Sequence, residues 1–160
     1  MKKLFLLLIL VTALVGCEGP IGPQGEPGQA GSGTNWNVEY FVIKPSEWVF
    51  MGPTDNPNEI YYQCTKIPKL YDGMSEKDRY YIYDEGTIHA FLYHNYETDD
   101  ETQTVLPYIL NWSDVDNNLC VETYYFDYTP KDIAFYVSYS GGNANNSPDA
   151  DMVYRVVMNW

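Results

Sequence analysis

"NLCVETYYFDY" (118–128) decides the fold of this chain. Taken with a period of two, it sets Cys120, Glu122, Tyr124, Phe126 and Tyr128 on one face. Leu119, Val121, Thr123 and Tyr125 fall on the other, as successive side chains of a strand do. Aromatic and β-branched residues fit a pleated surface. The flanks, "SDVDNN" and "TPKD", are rich in the residues that make turns. The stretch is a β-strand held between two turns.

The same pattern repeats on either side. Upstream run "NWNVEYFVI" (35–43), "EWVFM" (47–51), "EIYYQCTKI" (59–67), "RYYIYD" (79–84), "TIHAFLYHN" (87–95) and "TVLPYILNW" (104–112). Downstream run "IAFYVSYS" (133–140) and "MVYRVVMNW" (152–160). No long stretch keeps an apolar period of 3.6, and "YDGMSEKD" (71–78) supplies at most a turn or a short helix. Short strands separated by turns predict an all-β domain over 35–160, an antiparallel β-sandwich of about eight to nine strands. The final run is expected to pair inside a sheet.

The first 34 residues obey other rules. A basic start, Lys2-Lys3, precedes twelve apolar or near-apolar residues, "LFLLLILVTALV" (4–15). That run is too short to span a bilayer, which takes ~20 residues. It reads as a secretory signal over 1–16. Its end, Leu14-Val15-Gly16-Cys17, resembles the lipobox of bacterial lipoproteins. The resemblance implies cleavage before Cys17 and lipid on its thiol and amino terminus. Several acyl chains on one residue would hold a protein firmly, where one chain holds it marginally.

From Gly19 a glycine stands at every third position, through "GPIGPQGEPGQAG". This is the collagen pattern, since only glycine fits the axis of three wound chains. Four full triplets make a very short triple helix, so 17–34 is expected to be the lipidated cysteine and an extended, solvated tether. A monomer is expected, with a trimer the alternative if the tract winds.

Charge excludes one class of partner. Loss of Lys2 and Lys3 with the leader leaves seven basic against 22 acidic residues, a net of −15. Such a surface repels phosphate backbones and offers no basic patch for nucleic acid. An anionic membrane repels it too, so the membrane partnership must run through lipid on Cys17.

A lipobox cysteine, "EGPIGPQGEPG" and a tryptophan-led β-rich body together resemble a group of small collagen-tract lipoproteins of Bacteroidota. The matching stretches are "EGTIHAFLY" (85–93), "VLPYILNW" (105–112), "ETYYFDYTP" (122–130) and "IAFYVSYS" (133–140). The similarity spans nearly the whole mature chain. It implies a single β domain and a place in the cell envelope, at the outer membrane. The group has no agreed activity, so it implies no chemistry.

Catalytic and metal motifs are sparse. His89 and His94, five apart in one predicted strand, point to opposite faces and cannot share a metal. Asp114, Asp116 and Asn118 open like a calcium loop, but Leu119 and Tyr125 stand where its glycine and closing glutamate belong. A hairpin turn is the expected role of that segment. Cys64 and Cys120 could pair outside the cytoplasm, and spacing leaves this open. Acids cluster at Asp99–Glu101 and at Asp149 and Asp151, which suits a solvated surface. No cofactor is expected.

The excess of tyrosine is the most suggestive feature: all 16 lie in the body with all four tryptophans. These rings fill cores, and on a surface they stack on sugars or anchor proteins. The expectation is a lipid-anchored envelope protein with a non-enzymatic structural or interaction role. The alternative is a carbohydrate-binding module of a surface glycan-capture system. An envelope hydrolase comes third, and a concave pocket with two carboxylates would favour it.

Overall fold

The computed structural model describes residues 35–52, 60–113, 116–140 and 147–160. The leader (1–16), Cys17 with the tether (17–34), and Asp114 of the calcium candidate lie outside them. Nine strands run through the described residues. They are β1 (Trp36–Ile43), β2 (Val49–Phe50), β3 (Ile60–Lys66), β4 (Thr87–His94), β5 (Thr102–Val105), β6 (Tyr108–Ser113), β7 (Leu119–Tyr128), β8 (Ile133–Ser140) and β9 (Met152–Asn159). One α-helix, α1 (Glu76–Glu85), stands between β3 and β4.

Two antiparallel sheets result, ordered β1-β9-β4-β5 and β2-β3-β8-β7-β6. This is the predicted all-β sandwich. The final strand sits inside the first sheet, hydrogen-bonded to β1 and β4. Beyond its C-terminal end Trp160 and Asn35 exchange two backbone hydrogen bonds of 2.8 and 3.0 Å. Asn35 and Trp160 therefore lie side by side.

The core follows from the alternation. On β7 the face of Tyr124, Phe126 and Tyr128 packs inward, as the period of two requires. Phe135 of β8 and Tyr154 of β9, both fully buried, stack across the two sheets with ring centres 4.4 Å apart. Phe41 of β1 closes on the same Phe135 ring at 5.6 Å. Ile82 of α1 and Tyr71 join this one core from outside the sheets.

Two expectations need correction. "RYYIYD" (79–84) is not a strand; it is most of α1. Ser75 caps that helix, its hydroxyl accepting from the Asp78 N–H at 3.2 Å and donating to the Asp78 carboxylate at 2.7 Å. The sequence Ser-Glu-Lys-Asp (75–78) carries this start signal, a capping residue with an acid three positions on. The tyrosines after it favour strands only weakly, and tertiary context overrides such preference. All three, Tyr80, Tyr81 and Tyr83, lie exposed on α1 while Ile82 alone of the helix is buried.

"TVLPYILNW" (104–112) is likewise two strands in two sheets, not one. Proline cannot donate to a ladder and so interrupts a strand. At the cis Leu106–Pro107 peptide the chain leaves β5 of the first sheet and enters β6 of the second. Leu106 is buried there, its N–H donating to Ala90 O at 2.9 Å.

Candidate functional site

The inward row of the second sheet does not stop at the core. The register sets Tyr108 opposite Tyr124, and Leu110 opposite Glu122, which in turn faces Tyr139 on β8. Trp112 stands opposite Cys120, nearest the β6–β7 turn. Tyr124 and Tyr139 still pack on the core, whereas Glu122 and Trp112 lie beyond it. There a cleft of about 550 Å³ opens. Trp112, Glu122, Tyr124 and Tyr139 form its sheet wall, and residues 147–150 with Met152 form the other.

Glu122 organises the floor. The Tyr124 hydroxyl donates to its Oε1 at 2.5 Å. Burial, then a hydrogen bond to Glu122 and its charge, push the Tyr124 phenol far above its usual range. Tyr139 is raised as well, by burial first and then by Glu122, with a smaller contribution from Asp149. Both phenols stay protonated, and both look toward carboxylates. Asp149 is exposed at the mouth.

Trp112 is the exposed aromatic that lines the cleft. Its side chain is 41% exposed, and among the described residues no ring packs on it. On the outward face of the second sheet Tyr125 and Tyr136 stack on each other at 4.7 Å, with only 6° between their planes. Burial and a 2.9 Å hydrogen bond to Asp127 push the Tyr136 phenol up to about 12. On the outward face of the first sheet Tyr93 leans on Tyr40 at 6.1 Å and on Tyr96 at 5.1 Å. Those rings are engaged with one another. Trp112, part-exposed beside a concavity, stands where an aromatic ring can stack on a ligand.

The remaining sequence candidates sit elsewhere. His89 faces out and His94 faces in, the opposition that their spacing predicts. His94 bonds Thr104 Oγ1 at 3.2 Å and meets the Tyr108 ring edge-on at 5.4 Å. Asp116 and Asn118 lie in the connection between β6 and β7, a hairpin whose last pair is Ser113–Leu119. Asp99, Asp100 and Glu101 are exposed in the β4–β5 connection, where the Glu101 carboxylate accepts from the Glu97 N–H at 2.9 Å.

Cys64 and Cys120 are both buried and free. Cys64 aligns through Phe135 with Phe126, six residues along β7 from Cys120. Six residues of strand span about 20 Å, beyond the reach of a disulfide. Burial pushes the Cys64 thiol above its ordinary value, so it is a poor nucleophile beside the second hollow, of about 400 Å³, that it helps line.

Of the cleft residues, sequence reasoning singled out only Asp149. The available signal was Glu122, an acid on the inward face of an otherwise apolar and aromatic row. What hid the site was Trp112, read as part of a continuous strand that Pro107 in fact divides. No protein family, curated protein or solved structure matches this chain.

Proposed function

We propose that this protein is a lipid-anchored, non-enzymatic binding protein of the cell envelope that captures glycans in the cleft between Trp112 and Asp149. The observation that carries the reading is the lining: one part-exposed indole beside a row of hydrogen-bonding oxygens from Glu122, Tyr124, Tyr139 and Asp149. A pyranose presents an apolar face for the first and hydroxyls for the second. Hydrolysis fits less well. A general acid is kept protonated by apolar surroundings, but Asp149 is open to water and Glu122 accepts from a phenol hydroxyl.

Placement supports display. β9 begins with Met152 at the cleft and ends at Asn159, next to the Asn35–Trp160 pair. Eight residues of strand separate the two ends by about 25 Å. A lipid on Cys17, with the outer membrane as its proposed site, would reach the body through the chain before Asn35, which lies at the other end of β9 from the cleft.

Binding to a glycan array tests the reading. The wild-type chain is expected to bind sugars, and Trp112→Ala to lose most of that signal, because stacking and its buried area go together. No binding to any glycan would end the carbohydrate reading. The interaction would then pass to a protein partner, with the acid-free outward face of the first sheet, where Trp36, Tyr40, Val42 and Val105 are exposed, as its surface. For the anchor, Cys17→Ala should move the protein from the envelope fraction to the soluble fraction. A variant that still sediments with membranes would refute lipid attachment at Cys17.

A further inference from the structure

Resting on the glycan reading, we infer that the cleft selects sugars that carry a free amino group. The argument concerns the direction of its hydrogen bonds. A phenol has one proton, and that of Tyr124 is directed at Glu122 over 2.5 Å. The Tyr124 oxygen therefore meets a ligand as an acceptor. Tyr139 stands directly across the β7–β8 pair from the same carboxylate. Glu122 and Asp149 accept only. Among the described residues the lining includes no Lys, Arg or His, and its side-chain donors beyond the phenols are the Ser147 hydroxyl and the Trp112 indole N–H.

A ligand that fits must bring the protons and must not bring negative charge. A neutral sugar meets the first condition. A protonated amino sugar meets both, and gains where a neutral sugar does not. Its ammonium forms charge-assisted hydrogen bonds to the carboxylates, which are about twice as strong as neutral ones. It is also drawn to an indole face. In a half-enclosed cleft these attractions are screened less than in open water. A uronic acid brings the wrong sign to a lining whose described residues include no cation to receive it.

The number of acceptors favours a sugar over a lysine side chain. A lysine gathers three protons at one atom on a flexible stem. Four side chains that present acceptor oxygens around one indole suit a ring whose donors are spread along its edge.

The test uses the full chain in neutral detergent, titrated by calorimetry at about pH 6, where amino sugars are protonated. The probes are a glucosamine tetramer, its N-acetylated counterpart, a glucose tetramer, a galacturonate tetramer and trilysine. The glucosamine tetramer is expected to bind about tenfold more tightly than the two neutral tetramers, the size of one added charge-assisted hydrogen bond. Its binding should weaken with salt. Asp149→Asn and Glu122→Gln should each narrow that gap, and Asp149, being exposed, gives a variant whose folding is not at issue.

Equal binding of amine and neutral tetramers overturns the selectivity and leaves glycan capture standing. Tight binding of galacturonate overturns it too. Trilysine binding best would assign the cleft to a cationic peptide, and no binding by any probe would overturn the amino-sugar inference, with the glycan array deciding the wider reading.

Discussion

Phe135→Ala is expected to remove about 3–5 kcal/mol from folding stability. Typical domains hold 5–15 kcal/mol in total, so this single change would leave the protein on the edge of unfolding. The size of the effect follows from where the ring stands. Phe135 is fully buried in β8, a strand with partners on both sides, β3 and β7. Its ring touches both layers, stacked on Tyr154 at 4.4 Å and tilted against Phe41 at 5.6 Å. Truncation loses the transfer free energy of the ring and leaves a void between two sheets that their ladders hold apart. Chemical denaturation should show a lower midpoint with an unchanged slope. Ile109→Ala, at a side chain 57% exposed on β6, is the control and should stay within about 0.5 kcal/mol of wild type. A loss under about 1 kcal/mol at Phe135 would mean that the sheets do not pack on this ring.

The fold was legible because its strongest signals were local and repeated. Alternation in "NLCVETYYFDY" correctly separated the inward residues Tyr124, Phe126 and Tyr128 from Tyr125, whose ring stacks on Tyr136 on the opposite face. Alternation fails where a short aromatic run is locally ambiguous. "RYYIYD" satisfies a strand by residue type, yet Ser75 and Asp78 had already set a helix start just before it. Pro107 was equally visible and would have divided "TVLPYILNW" had its missing N–H been weighed against the apolar run.

The cleft was illegible for a different reason. It joins β6, β7 and β8 to a segment before β9, and it exists only because the inward row outruns the core. No periodicity states how far a row extends past its partner sheet. That is a property of register between distant strands, and register also separates Cys64 from Cys120. The acceptor character of the site needed one further fact, the direction of the Tyr124 hydroxyl.

Gly86→Ala tests the junction between α1 and the first sheet, and the sign of the effect is informative. Gly86 follows α1, its N–H donating to Ile82 O at 3.0 Å, with φ −84° and ψ 175°. Any residue adopts those angles, so backbone freedom gives glycine no advantage here. By that reasoning alanine should stabilise, by about 0.4–1 kcal/mol, through a less flexible unfolded chain. Space argues the reverse. A methyl group at Gly86 would overlap Ile82 O and lie 2.8 Å from Asn159 O. Both are backbone atoms, one in the last turn of α1 and one at the end of β9, so neither can swing aside as a side chain would. Relief requires α1 to lift from the sheet or β9 to shift against β1 and β4, and overpacking of this kind costs about 1–3 kcal/mol. Gly73 provides the contrast: at φ +78°, with open space where a methyl group would go, its alanine variant would be strained by conformation alone. Thermal melts should therefore show Gly86→Ala less stable than wild type, with faster amide exchange at Ile82, whose side chain the core encloses. A stabilised Gly86→Ala would show that α1 does not seat against Asn159, and the packing that fixes the helix on the sandwich would have to be redrawn.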